Sequence, residues 1–200
     1  MIIKNDKNRM KLCFATNNIH KLEEVQELLG DQFDLATLNE IGCFDDIPET
    51  RETIAENSSQ KAEYVWDNYK VNCFADDTGL EVAALNGEPG VFSARYAGPQ
   101  RNSDDNINLL LEKLEVFTDH NARFKTVITL VVDGIYHQFE GLVEGTIIFD
   151  KRGAQGFGYD PVFIPNGHDL TFAEMSLAEK SKLSHRAKAF TKLTDFLKDL

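Results

Sequence analysis

The stretch Lys11-Leu12-Cys13-Phe14-Ala15-Thr16-Asn17-Asn18-Ile19-His20-Lys21 joins a short apolar run to the polar start of an amphipathic helix. Its first six residues predict a buried strand, and apolar residues recur at helical spacing from Ile19 to Leu29. Asn17 or Asn18 is placed to cap this helix, and Gly30 to end it. A strand, a tight polar turn and a helix open an α/β unit, so we predict an α/β fold.

Downstream segments extend this pattern. The remaining predicted elements are a strand over 33–37, a loop over 39–48, a helix from the capping box at Thr53 to about Tyr69, a strand over 71–75, a loop over 86–98, a helix over 104–114 capped by Ser103, strands over 123–132 and 135–145 joined at Asp133-Gly134, a short helix after Ser176 and a final helix after Ser184. The antiparallel pair suggests a second lobe. We expect a polar leader over residues 1–10 and a single domain of two lobes over residues 11–200.

Composition places the chain among acidic globular proteins. Apolar residues make up 42% and charged residues 27% of 200 residues, which suffices for a core and excludes an intrinsically disordered chain. The formal charge of −12 argues against nucleic-acid binding, which normally uses a basic face. An anionic substrate therefore needs local cations or a bridging metal.

The cysteines and the N-terminal residues bear on the compartment. Cys13, Cys43 and Cys73 are widely spaced and form no C-x-x-C pair, which favours reduced core cysteines over a disulfide framework or a zinc site. The start of the chain is too polar for a signal peptide, and no apolar run reaches the roughly 18 residues of a membrane span. We expect a soluble, cytoplasmic protein without a membrane partner.

The acidic segment Asp76-Asp77-Thr78-Gly79 follows the predicted strand over 71–75, and we predict that it forms a turn before a short return strand, Leu80–Val82. Adjacent carboxylates repel each other and are tolerated best around a cation, which favours a magnesium-type site. An Asx-type turn, in which an aspartate only bonds nearby backbone, is the alternative. The segment alone does not separate the two.

The turn Thr16–Lys21 is a candidate anion site. Free backbone N–H groups and the positive end of the helix dipole meet there, and Lys21 adds a cation. Its candidate residues are Thr16, Asn17, Asn18, Ile19, His20 and Lys21. The alternative is a capped helix with a solvated lysine.

A run of acidic residues lies between Asp45 and Glu56. Such runs are usually solvated. One member is a candidate magnesium ligand, and Glu49, in the loop before the helix, is better placed for that than Glu56.

The segment Gly156-Phe157-Gly158-Tyr159-Asp160-Pro161 sets two aromatic residues between glycines. Such a loop can present rings for a flat ligand, with Asp160 as a hydrogen-bonding partner. Equally, it can bury its rings in the core.

The C-terminal region reverses the global charge balance. Basic residues outnumber acidic ones from Glu179 onward, and Ser184-His185-Arg186 gathers a hydroxyl, an imidazole and a guanidinium at a helix start. The alternative is a helix cap with a solvated basic face.

Taken in order, these segments resemble the inosine triphosphate pyrophosphatase family. The resemblance runs from Lys11 to the final helix. Its motifs are Thr16-x-Asn18-x-x-Lys21, Asp76-Asp77-Thr78-Gly79-Leu80, Gly87-x-Pro89-Gly90-Val91-x-Ser93-Ala94-Arg95-Tyr96, Gly156-Phe157-Gly158-Tyr159-Asp160-Pro161 and Ser184-His185-Arg186.

The resemblance implies an elongated, two-lobed α/β fold with a mixed sheet flanked by helices and a central nucleotide-binding cleft, usually in a homodimer. It implies Mg²⁺-dependent hydrolysis of the noncanonical purine nucleoside triphosphates ITP, dITP and XTP to the monophosphate and pyrophosphate, which cleanses the nucleotide pool. For the phosphates, the resemblance implies binding by Thr16, Asn18 and Lys21, with Lys61 and Lys180 as further phosphate or base-side contacts. For the metal and the reaction, it implies magnesium binding by Glu49 and Asp77 and general-base action by Asp77. For the purine, it implies base stacking and orientation by Phe157, Tyr159 and Asp160 and recognition of the 6-keto group by His185 and Arg186. Gly158 and Thr78 belong to the same substrate-binding motifs, and Asp76 is either a further metal ligand or the support of Asp77.

Three other functions remain as alternatives. A pyrophosphatase for other nucleotides is disfavoured by Ser184-His185-Arg186. A catalytically silent nucleotide sensor is disfavoured because both Asp76 and Asp77 are present. A metal-dependent phosphomonoesterase would release orthophosphate.

Overall fold

The computed structural model describes residues 10–19, 21–22, 25 and 34–200. Across these residues the chain forms a six-stranded mixed sheet in the order β2-β1-β3-β4-β5-β6. The strands are β1 (Lys11–Phe14), β2 (Asp34–Ala36), β3 (Cys73–Val82), β4 (Asn121–Val132), β5 (Ile135–Ile147) and β6 (Phe163–Pro165). The first nine residues of the predicted leader and most of the first predicted helix, including His20, lie outside the described residues. Ile19, Lys21, Leu22 and Val25 are helical.

The helices begin close to their predicted capping residues. They are α1 (Ile54–Tyr69), α2 (Ser103–Leu114), α3 (Leu177–Leu183) and α4 (His185–Lys198). Thr53 caps α1, Ser176 forms the capping box of α3 with Glu179, and Ser184 caps α4, all as predicted. The cap of α2 was predicted one residue too late, because Asn102 accepts the hydrogen bond from Asp105 N and Ser103 is already helical.

The predicted hairpin is confirmed. Asp133 and Gly134 join β4 to β5 with φ angles of 52° and 81°. Two consecutive left-handed residues match the right-handed twist of the flanking strands. The predicted loops over 39–48 and 86–98 contain short 3-10 helices, Asn39–Ile41 and Gly90–Arg95.

The predicted turn at Asp76-Asp77-Thr78-Gly79 is wrong. These residues lie within β3, and each pairs with β4, from Asp76 opposite Ile128 to Gly79 opposite Lys125. Gly79 is needed for space, since a β-carbon there would collide with the Gly90 carbonyl oxygen. The sheet partner supplies the backbone hydrogen bonds that a turn would otherwise provide.

Helices cover both faces of the sheet near β3. On one face, Ala62 and Val65 of α1 pack against Cys73 and Ala75. On the other, Phe190 and Leu193 of α4 pack in one cluster with Phe74. Successive side chains of a strand point to opposite faces, so β3 serves both layers.

A third cluster lies beyond the middle of β3, where Leu80, Phe124 and Phe163 pack against Leu110 of α2. The final helix, α4, buries Phe190, Leu193 and Leu197, whereas Leu200 follows its end and is 66% exposed. In the described part of the chain, no helix has the length and hydropathy of a transmembrane span.

Candidate active site

A cavity of about 540 Å³ lies where the end of β1, the middle of β3 and the start of α4 meet. Among the sequence-predicted site residues, it is lined by Thr16, Asn17, Asn18, Lys21, Glu49, Lys61, Asp77, Thr78, Phe157, Gly158, Tyr159, Lys180, His185 and Arg186. Asp76 and Asp160 are buried behind these residues, and Ile19 is 61% exposed. Segments far apart in sequence thus form one cleft.

Asp76 is fully engaged by cations. Its Oδ1 lies 2.9 Å from Lys21 Nζ, and its Oδ2 lies 3.6 Å from Arg186 Nε. Thr78 Oγ1 also donates to Oδ2 at 3.3 Å. Burial alone would raise the pKa of Asp76, but Lys21 and Arg186 more than offset this effect and hold that pKa well below its usual range. Asp76 is therefore a permanent buried anion.

Asp77 lies at the cavity wall with a second carboxylate beside it. Lys61 Nζ donates to Glu49 Oε1 at 2.5 Å and to Asp77 Oδ1 at 3.4 Å. Burial raises the pKa of Asp77 above its usual value, although Lys61 and Lys21 oppose the rise. The pKa of Glu49 is lowered instead, because Lys61 outweighs the effect of its burial. Of these two acids, Asp77 is the more ready to take up a proton.

The pair Glu49 and Asp77 fits the donor set of a magnesium ion. Both carboxylates already converge on one cation, the ammonium of Lys61. Mg²⁺ is usually held by one or two carboxylates together with waters and substrate phosphates. Within the described ranges no group of three or more His, Cys, Asp or Glu side chains is close enough to enclose a metal. An open, two-carboxylate site that a phosphate completes is consistent with this arrangement.

The turn after β1 is ordered by its own polar side chains. Thr16 Oγ1 accepts from Asn18 N at 3.2 Å, and Asn18 Oδ1 accepts from Lys21 N at 3.4 Å. The Lys21 side chain is only 13% exposed. Burial lowers the pKa of Lys21, and the neighbouring Lys61 and Arg186 lower it further against the pull of Asp76. An incoming phosphate would relieve this crowding of positive charge.

Asp160 shapes the loop that carries Phe157. Its Oδ2 accepts from Phe157 N at 2.8 Å and from Lys180 Nζ at 2.8 Å. Lys180 Nζ in turn lies 5.3 Å from the centroid of the Phe157 ring. Tyr159 is buried, and its hydroxyl donates to the Ser93 carbonyl at 3.0 Å. Of the two rings, Phe157 is thus the half-buried one, and Tyr159 anchors the loop in the core.

His185 and Arg186 are buried, not solvated as a basic helix face would be. His185 is 3% and Arg186 is 1% exposed. The imidazole stacks on Phe124 with ring centroids 4.6 Å apart and an interplanar angle of 13°. Burial, followed by the charges of Arg186 and Lys180, holds the pKa of His185 well below its usual value. In the described part of the protein, Nδ1 has no hydrogen-bond partner. This nitrogen is therefore able to form a hydrogen bond with a ligand in the cavity that His185 lines.

Some residues that line the cavity were not predicted from the sequence as site residues. Arg95, at the end of the Gly90–Arg95 helix, has its Nη1 3.9 Å from Glu49 Oε2 and donates from Nη2 to the Glu49 carbonyl at 3.5 Å. Arg101 and Phe124 also line the cavity. The signal for Arg95 was its place in the Gly87–Tyr96 motif, to which no role was given. No local motif marks Phe124 as a site residue, because only the register of β4 in the sheet brings its ring to the cavity.

Proteins of known sequence match the chain over nearly its whole length. Residues 12–196 match the model of the Ham1 family. A dITP/XTP pyrophosphatase of Flavobacterium psychrophilum is 53% identical over 190 residues, which cover 95% of this chain and 100% of that protein. A dITP/XTP pyrophosphatase of Porphyromonas gingivalis is 54% identical over 188 residues, covering 94% and 97%.

Solved structures agree. A HAM1 protein from Coxiella burnetii gives a TM-score of 0.89 at 38% identity, covering 96% of this chain and 100% of that one. A nucleoside-triphosphatase / dITP/XTP pyrophosphatase from Mycobacterium abscessus gives a TM-score of 0.77 at 36% identity, covering 92% and 98%. The predicted α/β fold with a mixed sheet flanked by helices is confirmed.

Proposed function

Because the chain belongs to the Ham1 family, we propose that it hydrolyses the noncanonical purine nucleoside triphosphates ITP, dITP and XTP to the monophosphate and pyrophosphate. Membership confirms the resemblance predicted from the five motifs. One observation carries the proposal: a single cavity holds two carboxylates that share a cation, a polar turn at the start of a helix and a buried imidazole. These are the parts needed for a metal-bound triphosphate and a purine.

The metal-binding part of the proposal concerns Glu49 and Asp77. Their carboxylates would hold Mg²⁺, with Asp76 as a support that fixes Lys21 and Arg186. When bound, Mg²⁺ neutralises the triphosphate and polarises the phosphorus. Lys21 and Lys61, with the polar turn Thr16–Lys21, would bind the remaining phosphate charge. An acidic protein can thereby accept a polyanion.

Asp77 is the proposed general base. It lines the cavity, whereas Asp76 is sealed behind it by Lys21 and Arg186. A base works best when its pKa lies nearer the working pH, and burial moves the pKa of Asp77 in that direction. Asp77 would orient and deprotonate the attacking water.

Purine selectivity is assigned to His185 and Arg186, which line the same cavity. A 6-keto oxygen accepts a hydrogen bond, whereas the amino group of adenine donates one. Donors from His185 or Arg186 would therefore pair with ITP and XTP but clash with ATP. Phe157 would stack on the base, and Asp160 with Lys180 would hold the loop in place.

The proposal extends to partners and compartment. Mg²⁺ is the cofactor, the enzyme acts in the cytoplasm as a homodimer, and it binds neither nucleic acid nor membranes. The formal charge of −12 supports the absence of a nucleic-acid partner.

One assay tests the function. Purified protein is incubated with Mg²⁺ and ITP, XTP or ATP, and the phosphorus product is identified by ³¹P NMR. We expect pyrophosphate from ITP and XTP and slow turnover of ATP. Orthophosphate as the product, or equal turnover of ATP, would overturn the proposal and favour a phosphomonoesterase or a less selective pyrophosphatase.

A further inference from the structure

Gly141 lies in the middle of β5, directly against the first turns of α4. A β-carbon on Gly141 would collide with the carbonyl oxygen of His185 and lie 2.6 Å from the amide nitrogen of Ala189. Both are backbone atoms, so they cannot move aside as the end of a flexible side chain can. Only glycine at this position allows the backbone of α4 to contact the sheet.

Two lysines of α4 hold the helix in register on this part of β5. Lys188 Nζ donates to the Leu142 carbonyl at 2.9 Å, and Lys192 Nζ donates to the Glu140 carbonyl at 2.7 Å. The accepting carbonyls belong to the residues on either side of Gly141. The start of α4 is therefore fixed both along the strand and in its distance from it.

An aromatic ring fixes the His185 side chain on the same part of the sheet. In the register of β4 and β5, Thr126 lies opposite Gly141, and Phe124 lies two residues away on the same face of β4. The Phe124 ring stacks on the imidazole at 4.6 Å. His185 is thus held by its backbone at Gly141 and by its ring at Phe124.

We propose that Gly141 and Phe124 are positioning residues that set the selectivity of the enzyme for 6-keto over 6-amino purines by fixing the place of His185. The inference rests on the proposed function of this site. Gly141 lines a separate groove with Lys188 and Thr191 and does not line the nucleotide cavity. Gly141 therefore acts through His185, whose donor has to lie within roughly 0.5 Å of its productive position.

The test compares kcat and KM for ITP and ATP in Gly141→Ala, Phe124→Leu and the wild type. We expect kcat/KM for ITP divided by kcat/KM for ATP to fall about tenfold in each variant, the equivalent of one misplaced hydrogen bond. This ratio does not depend on the fraction of folded protein, because both substrates meet the same molecules. A purely structural role would leave it unchanged.

Gly134→Ala is the control. Gly134 lies in the turn between β4 and β5 with a left-handed φ of 81°, and a β-carbon there would lie 3.2 Å from the Trp66 ring. The substitution strains this turn and crowds α1, but it touches neither α4 nor Phe124. We expect a lower melting temperature and an unchanged selectivity ratio.

The outcomes separate the two proposals. A wild-type protein without preference for ITP contradicts the proposed function itself. A selective wild type whose ratio is retained in Gly141→Ala and Phe124→Leu overturns only the positioning role, as does an equal loss of selectivity in Gly134→Ala. If Gly141→Ala does not fold, Phe124→Leu decides alone, and a retained ratio overturns the inference.

Discussion

Asp76 and Asp77 are consecutive residues of β3, and their carboxylates pair with cations that approach the sheet from different helices. Asp76 contacts Arg186 of α4, whereas Asp77 contacts Lys61 of α1. The alternation of side chains along a strand enforces this separation. The two adjacent acids thus have different surroundings. Asp76 is buried and charged, whereas Asp77 is open to the cavity. This difference is the physical basis for assigning catalysis to Asp77 and support to Asp76.

Asp77→Asn is expected to remove turnover but keep nucleotide binding. Asparagine preserves the shape of the side chain but cannot accept the proton from water, so kcat should fall by about 10²–10⁴-fold. Binding of ITP in the absence of Mg²⁺, measured by calorimetry, should not weaken, because the substitution leaves Lys21 and the polar turn Thr16–Lys21 unchanged. Asp195→Asn, at an exposed pair with Lys198, is the control and should be fully active. Wild-type turnover in Asp77→Asn would exclude Asp77 as the base.

Asp76→Asn is expected mainly to lower the stability of the fold. The substitution removes the buried charge that Lys21 and Arg186 contact, and removal of one partner of a buried pair costs about 3–5 kcal/mol. Urea denaturation measures the free energy of unfolding. Glu88→Gln breaks the exposed pair with Lys113 and should cost less than about 1 kcal/mol. If the free energy of unfolding of Asp76→Asn equals that of this control but the variant is inactive, Asp76 takes part in the chemistry or binds the metal directly.

Features encoded by neighbouring residues were predictable from the sequence. The caps at Thr53, Ser176 and Ser184 and the Asp133-Gly134 hairpin each depend on contacts within a few residues, and each is confirmed. The motif order indicated the family for the same reason, because each motif is a local arrangement of side chains.

Features that depend on sheet register were not predictable. Asp76–Gly79 has the composition of a turn, but its pairing with β4, some 50 residues later, makes it a strand. The stacking of Phe124 on His185 likewise joins β4 to the start of α4. Gly141 shows no turn signal and no left-handed φ, so its steric role emerges only when α4 is placed on β5.

Arg95→Met is expected to weaken the response to magnesium. Arg95 holds the Glu49 backbone and lies beside its carboxylate, so its loss should let this proposed ligand move. Loss of a residue that orients a metal ligand typically costs 10–100-fold in affinity, and we expect the Mg²⁺ concentration for half-maximal activity to rise about tenfold. Titration of activity with Mg²⁺ at saturating ITP measures this change.

Arg123→Met is the control for Arg95→Met. Arg123 pairs with Glu81 at the surface and should leave the magnesium response unchanged. A rise in KM for ITP at an unchanged magnesium response would contradict the positioning of Glu49 and assign Arg95 to the phosphates instead.

His185 is expected to make stability depend on pH. In the unfolded chain the imidazole has its ordinary pKa of about 6.5. In the folded protein, burial and the charges of Arg186, Lys180 and Lys21 lower this pKa, although Asp76 opposes the shift. The unfolded state therefore binds more protons in this range, so the free energy of unfolding falls as the pH drops below 6.5, by up to about 1.4 kcal/mol per pH unit. The loss ends where the pH reaches the lowered pKa of the folded state.

His185→Gln removes this titration. Urea denaturation of the nucleotide-free protein between pH 7.5 and about pH 5, the range in which an ordinary histidine gains its charge, should show a shallower pH dependence in the variant than in the wild type. His168→Gln, at an exposed histidine, should keep the wild-type slope. Equal slopes in all three proteins would mean that His185 accepts a proton in the folded state as readily as in the unfolded chain.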